Sequence, residues 1–162
     1  MNYRKIITVV GLCAALGACA QYDRTPTGAT AQLSGIAVDP QQASAIISAY
    51  RRAHGLSPVV VEPMLNGFAR QQAAAMASAD QLSHEVAGGL TARLGRAGIA
   101  QRTAVENVSA GYQSTARVIA GWQRSPGHNQ NLLDPSARRM GIAAVASPGG
   151  HYKSYWSLVM TN

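Results

Sequence analysis

The sequence predicts a layered α+β domain in which helices cover an antiparallel sheet. Two observations carry this prediction. Apolar residues recur at helical spacing over much of the segment 39–124, whereas the last quarter of the chain alternates in the manner of a β-hairpin. Because the helices come first and the paired strands last, the strands are expected to bury one face against the helices that precede them.

Two helices are predicted to open the domain. Asp39 is an N-cap residue, and Pro40 follows it at the first helical position. Gly55 suits the left-handed position that ends such a helix. The apolar stripe of this first helix consists of Ala43, Ile46, Ile47 and Tyr50. A second helix is predicted from about Glu62 to Ala79, with an apolar face made of Leu65, Phe68, Ala69, Ala73 and Met76.

Shorter elements are predicted next. A third helix covers about Gly89 to Ala97, and the segment 105–110 is either a strand or an irregular loop. Ser114 can cap a fourth helix. Its stripe consists of Val118, Ile119 and Trp122. The string Ser125-Pro126-Gly127 is expected to break that helix and to present His128 just beyond its end.

The last quarter of the chain is predicted to be a hairpin. Met140, Ile142 and Ala144 alternate with smaller residues, and Ser147-Pro148-Gly149-Gly150 is a strong turn signal. The second strand runs from Tyr152 to Thr161. Its apolar face is made of Trp156, Leu158 and Met160.

Three polar residues stand out as candidates for a site: His84, Glu106 and His128. Imidazole and carboxylate groups transfer protons or hold divalent metals near neutral pH. Glu106 is conspicuous, because it lies in an apolar run of a chain with only seven acidic residues. A buried carboxylate must be paired or hydrogen-bonded. We expect the three side chains to converge, because each lies at an element boundary.

The first 18 residues are predicted to be a lipoprotein signal peptide. Arg4 and Lys5 precede an apolar run, 6–15, that is too short to span a membrane. The string Leu16-Gly17-Ala18-Cys19 looks like a bacterial lipobox, with Cys19 as the lipidated first residue of the mature protein. An ordinary secretory signal that leaves a free thiol at Cys19 is the alternative.

The lipobox and the segment after it predict where the domain is held. Residues 19–37 are polar and contain little apolar surface, so they are expected to be a flexible tether ahead of a domain at 38–162. Because alanine and not aspartate follows Cys19, the outer membrane is the expected location in a Gram-negative host. The membrane, reached through the lipidated cysteine, is therefore the first predicted partner.

The net charge of +7 limits the classes of binding partner to be expected besides the membrane anchor. A basic face could touch anionic lipid head groups, lipopolysaccharide or cell-wall polymers. The arginine pairs at 51/52 and 138/139 are too far apart in the sequence to form a nucleic-acid stripe. Export also argues against a nucleic-acid partner.

Several strings together resemble a known family. They are Tyr50-Arg51, Gly55-Leu56-Ser57-Pro58, Ser83-His84, Arg93-Leu94, Glu106-Asn107-Val108, Ser125-Pro126-Gly127-His128, Asn131-Leu132-Leu133 and Met140-Gly141-Ile142. In order and spacing they are similar to the bacterial branch of the CAP (SCP-like) superfamily. The resemblance covers the chain from about Ser44 to Val159. It implies an α-β-α sandwich with a shallow cleft that collects polar residues.

The resemblance also implies roles for the candidate residues. Many CAP domains hold a divalent cation, such as zinc, between two histidines and two glutamates. His84 matches the first histidine, Glu106 the glutamate of a Gly-Glu-Asn string, and His128 the histidine of the bacterial Ser-Pro-Gly-His string. The second glutamate has no counterpart here, so we expect weak metal binding or none. Supporting roles fall to Asn107, Arg93, Ser125 and Asn131, with Arg93 either a surface charge or the partner of a carboxylate.

A binding or structural module of the cell envelope is the preferred function. The sequence has no Gly-x-Ser-x-Gly elbow, no His-Glu-x-x-His helix motif and no phosphate loop. A metal-assisted hydrolase of envelope peptide or glycan is the alternative. A lipid- or sterol-binding protein with an apolar groove is a third, and it rests on the resemblance alone.

Overall fold

The computed structural model describes Ile36 and residues 38–162. The predicted signal peptide, the predicted lipidation site Cys19 and nearly all of the predicted tether lie outside the described residues. Ile36, which the prediction assigns to the tether, packs against the core beside Val38. The described residues belong to a unit of chain that spans 32–162. Within them, no helix is long and apolar enough to cross a membrane.

The described residues form five helices and four strands. In chain order they are α1 (Pro40–Ala53), β1 (Val60–Val61), α2 (Pro63–Ala79), α3 (Leu90–Arg96), β2 (Ala104–Ala110), α4 (Thr115–Arg124), α5 (Pro126–Leu132), β3 (Arg139–Ser147) and β4 (Lys153–Thr161). The predicted helices α1 to α4 and both strands of the hairpin are confirmed. At the start of α1, the Asp39 carboxylate accepts hydrogen bonds from the amides of Gln41 and Gln42 at 2.9 and 3.0 Å.

The predicted break after α4 is confirmed, because α4 ends at Arg124 and His128 lies beyond it. The prediction did not include α5, which starts at Pro126 and has His128 in its first turn. Proline is favourable at the first helical position, so the proline that stops α4 from continuing also begins α5. Ser114 occupies the N-cap position of α4, but its side chain makes no cap hydrogen bond.

The strands form one sheet in the order β1-β3-β4-β2. The β3–β4 hairpin is antiparallel, as predicted, with Met140 opposite Met160. Strand β2 also pairs antiparallel with β4, with Glu106 opposite Val159. The two-residue strand β1 pairs in parallel with β3. The sheet is therefore mixed, and the segment 105–110, left open between strand and loop, is its edge strand β2.

Helices cover both faces of the sheet, which confirms the α-β-α sandwich. Helices α1, α4 and α5 pack on one face through a core that includes Ile47, Trp122 and Trp156. Helices α2 and α3 pack on the other through Leu65, Phe68 and Leu94, among others. The close approach of α2 to β3 requires glycine at position 141, because a Cβ there would collide with the Leu65 backbone.

Candidate functional site

The candidate site is built around the edge strand β2. Side chains alternate between the two faces of a strand. Ala104 packs in the core on the α2 and α3 side, whereas Val105 packs against the core on the α1 and α4 side. Glu106 therefore faces α2 and α3, and its neighbour Asn107 faces α4 and α5. The strand thus divides the predicted site residues into two groups, one on each face.

On the α2 and α3 side, the Glu106 carboxylate is enclosed by its own chain. Its side chain is only 2% exposed. One oxygen, Oε2, accepts a hydrogen bond from Arg93 Nη2 at 2.7 Å, and Ser157 Oγ lies 3.5 Å from the same oxygen. The other oxygen, Oε1, lies 3.0 Å from His84 Nδ1. Both carboxylate oxygens are thus used within the domain.

Arg93 is the partner that the sequence left undecided. It projects from α3, is 6% exposed, and pairs with Glu106. Its Nε donates to the Gly88 carbonyl at 2.7 Å, and its guanidinium carbon lies 5.1 Å from the centre of the Phe68 ring. Charge-assisted hydrogen bonds and a ring contact fix this side chain from several directions. Arg93 therefore holds the Glu106 carboxylate in place and neutralises it.

His84 lies at the surface end of this cluster. Its side chain is 51% exposed, in contrast to the buried carboxylate that it contacts. The loop that carries it is fixed to α2, because the Gln72 side chain donates to the Ser83 carbonyl at 2.8 Å. Among the described residues, only Glu106 bonds to the His84 ring, through Nδ1. The Nε2 edge is thus left to face outward.

On the α4 and α5 side, the polar residues form a neutral network. Asn131 Nδ2 donates to the Asn107 side-chain oxygen at 2.8 Å and to the Glu106 carbonyl at 3.0 Å. Asn107 Nδ2 in turn donates to the His128 carbonyl at 3.1 Å. These bonds tie the first turn of α5 to the edge strand and satisfy backbone groups that an edge strand would otherwise expose.

His128 is held by its immediate surroundings. Its Nδ1 lies 3.0 Å from Ser125 Oγ. Burial lowers the pKa of His128 from its ordinary value, and the charge of His84 lowers it further, while a hydrogen bond to the Val108 backbone acts in the opposite direction. The influence of His84 indicates that the two imidazoles are near enough to interact electrostatically. The lowered pKa favours a neutral His128 ring at neutral pH.

The three candidate ligands do not fit a divalent cation. Among the residues that the structure describes, no group of three His, Cys, Asp or Glu side chains is arranged to hold a metal ion. A zinc ligand must direct a lone pair at the metal. Here the Glu106 carboxylate is buried and its charge is paired with that of Arg93, while the His128 Nδ1 is bound to Ser125. His151 lies apart from these residues, in the turn between β3 and β4.

Sequence reasoning missed a second polar cluster at that turn. Asp80 ends α2 in the left-handed conformation, with φ 48°. Its carboxylate accepts hydrogen bonds from the Tyr155 hydroxyl at 2.7 Å and from the His151 amide at 2.9 Å. The Tyr155 bond lowers the pKa of Asp80, and burial, followed by this same bond, raises the pKa of Tyr155 to about 12. An aspartate directly after a helix was the available signal, because aspartate tolerates this conformation.

The three-layer sandwich, with its histidine and glutamate cluster on an edge strand, defines an SCP-like domain. A family model described as "CAP: Cysteine-rich secretory protein family" matches residues 45–160. The chain belongs to this family, which confirms the resemblance seen in the sequence.

Relatives and solved structures agree with this assignment. Protein YkwD of Bacillus subtilis, described as uncharacterized, is 26% identical over 132 residues, which are 80% of this chain and 50% of YkwD. The chain thus spans about half the length of that relative. An extracellular SCP-domain protein of Bacillus anthracis superposes with a TM-score of 0.66 at 23% identity, over 75% of this chain and 39% of that one. An outer surface protein of Borrelia burgdorferi gives 0.66 at 16% identity, over 80% and 98%. These structures share the fold.

Proposed function

We propose that this protein is a lipid-anchored protein of the cell envelope whose CAP domain is a binding or structural module. The location is supported by the lipobox-like string that ends at Cys19. It is also supported by the descriptions of two structural neighbours, one as an extracellular protein and the other as an outer surface protein. In a Gram-negative host, the alanine after Cys19 favours the outer membrane.

One observation carries the choice of a binding module over a metal-dependent enzyme. The Glu106 carboxylate, the only acid in the candidate cluster, has both oxygens bound to its own chain. A buried carboxylate paired with arginine is a poor general base and a poor metal ligand. The half-exposed His84 ring is the part of the cluster that can contact a ligand. An envelope polymer or a lipid head group is the class of ligand that such a site would meet.

A hydrolase is the second candidate, and one distance favours it. Ser125 Oγ and His128 Nδ1 lie 3.0 Å apart, the separation of a nucleophile and its base. A complete triad needs a third group to orient the imidazole. In the described part of the chain, the other hydrogen bond of the His128 ring goes to the Val108 backbone and not to a carboxylate. Because no carboxylate of the described residues orients the His128 ring, we prefer the binding module to the hydrolase.

A zinc titration separates the binding module from a metal-dependent enzyme. Isothermal titration calorimetry would compare the wild-type protein with a His84→Ala, His128→Ala double variant. Our proposal predicts the same negligible heats for both proteins. A one-to-one isotherm in the wild type that the double variant loses would overturn it. The variant Ser125→Ala, assayed for hydrolysis of purified envelope peptide and glycan, tests the second candidate.

The anchor is tested by fractionation of cells that express the wild type or a Cys19→Ala variant. The wild type is expected in the membrane pellet and should incorporate labelled palmitate. The variant should leave the pellet and carry no label, because stable anchoring depends on the acyl chains. If the variant remains in the membrane fraction as the wild type does, the anchor proposal is wrong.

A further inference from the structure

The surface around the point where the chain enters the domain is rich in cations. We call it the entry face, and define it by Ile36, Tyr112, Arg117, Arg124 and Lys153. Two adjoining grooves form it, since both are lined by Tyr112 and Gln113. The first, of about 260 Å³, is lined by Ile36 and Lys153 among others. The second, of about 340 Å³, is lined by Arg117 and Arg124 among others.

The entry face has a fixed geometry. The Asp39 amide donates to Thr115 Oγ1 at 3.0 Å, so the start of the domain is bonded to the first turn of α4, which carries Arg117. The Tyr112 carbonyl accepts hydrogen bonds from Ser154 Oγ and Trp156 Nε1 at 2.7 and 2.8 Å. These bonds place the entering chain, α4 and the β3–β4 turn side by side, so the cations keep their spacing.

The two arginines of this face lack acidic partners. Arg117 and Arg124 are exposed, and no carboxylate of the described residues lies within ion-pair distance of either. From Asn107 to the last residue, the sequence contains one acid, Asp134. The Asp39 carboxylate, beside the entry point, is bonded to the amides at the start of α1. Arg117 and Arg124 therefore present positive charge that the domain does not neutralise, whereas the charge of Lys153 interacts with the Asp80 carboxylate.

The position of Arg117 does not stabilise helix α4. It lies in the first turn of α4, where the helix dipole disfavours a cation. Arg117 and Arg124 are exposed and line the same groove. Each guanidinium can bind phosphate oxygens through several hydrogen bonds. Lys153 adds a further positive charge at the neighbouring groove, where its Nζ donates to the Pro148 carbonyl at 3.1 Å.

We propose that the entry face docks on an anionic phospholipid surface, with head-group phosphates bound between Arg117 and Arg124 and with Lys153 beside them. The proposal rests on the proposed function in one respect, namely that a lipidated Cys19 holds the domain near the bilayer. Sixteen residues, 20–35, separate Cys19 from Ile36. They span at most about 58 Å. Because the chain enters at this face, the face lies at the domain's attachment point.

Vesicle binding by the mature chain from residue 19, with Cys19→Ala, tests the face without any acyl chain. Co-sedimentation with phosphatidylglycerol–phosphatidylcholine vesicles should show binding that high salt abolishes and that pure phosphatidylcholine does not support. An Arg117→Gln, Arg124→Gln variant should partition about 30-fold more weakly. The matched control Arg70→Gln, Arg102→Gln removes two exposed charges elsewhere, on α2 and at the far end of β2. It should change partition less than about threefold.

Three results would overturn the proposal: no binding to anionic vesicles, equal binding to neutral ones, or equal losses in the two double variants. Circular dichroism of each variant would show that the fold is kept. Because the chain used carries no lipid, a negative result here leaves the anchor at Cys19 intact. Conversely, failure of the fractionation test leaves a positive vesicle result standing as a property of the domain itself.

Discussion

Two buried arginines perform different tasks in this domain. Arg51, on α1, is fully buried, and its guanidinium donates only to backbone carbonyls, those of Ser57, Leu132, Asp134 and Ala137, at 2.8 to 3.0 Å. Arg93, on α3, is almost as buried but pairs with a carboxylate, Glu106. Arg51 joins α1 to the chain around α5 and β3, whereas Arg93 sets the charge of the candidate site.

A buried guanidinium can be stabilised either by backbone carbonyls, as at Arg51, or by a carboxylate, as at Arg93. Burial lowers the pKa of Arg51, and the nearby charge of Arg138 lowers it further, with Asp134 acting in the opposite direction. Arginine nevertheless stays protonated in proteins, so the carbonyl dipoles must stabilise its charge. At Arg93 a full negative charge does this, and Nη1 remains buried without a hydrogen-bond partner among the described residues. Arg51 is thus the more completely hydrogen-bonded of the two arginines.

The largest effect is expected from Arg51→Met. The change leaves four carbonyl acceptors without their donor, and each buried acceptor that stays unsatisfied costs about 1–3 kcal/mol. We expect a loss of about 5 kcal/mol in the free energy of unfolding, measured by urea denaturation. Arg52→Met, which changes the exposed neighbour, should stay within about 0.5 kcal/mol of the wild type. Similar losses in the two variants would show that Arg51 does not join these segments.

A smaller loss is expected from Arg93→Met. The variant leaves the Glu106 carboxylate buried with His84 and Ser157 as its remaining partners, and an uncompensated buried charge costs about 3–5 kcal/mol. The low end, about 3 kcal/mol, is expected because those two partners remain. Arg70→Met, at an exposed position on α2, is the control. If Arg93→Met lost no more unfolding free energy than Arg70→Met, Arg93 would contribute no more to stability than an exposed arginine does.

The third prediction concerns His128 and the pH dependence of the free energy of unfolding. The pKa of His128 is lowered in the folded state, so the unfolded chain takes up the proton first as the pH falls below about 6.5. Stability should therefore decrease from about pH 7.5 to about pH 5.5. A His128→Asn variant should show a flatter profile in thermal melts. Parallel profiles for wild type and His128→Asn would contradict this assignment.

Much of the fold could be predicted from the sequence, because helices α1, α2 and α4 and the β3–β4 hairpin have regular apolar patterns. The two-residue strand β1 is too short to leave a pattern, and the proline that signals the end of α4 also starts α5. At the site, the strings around His84 and Glu106 marked two residues that are in contact, whereas the His128 ring bonds to Ser125 and not to either of them. The burial of Arg93 was not visible, because one arginine in a short helix looks the same whether it faces solvent or a carboxylate.

We infer that Arg93 and Glu106 form a buried ion pair and that this pair makes the cluster a structural and binding site. A double-mutant cycle with Arg93→Met, Glu106→Gln and the two combined measures this pair directly. We expect a coupling free energy of at least about 1.5 kcal/mol, with the double variant more stable than the sum of the single losses implies. Additive losses, with no coupling beyond the error of the unfolding measurements, would contradict it.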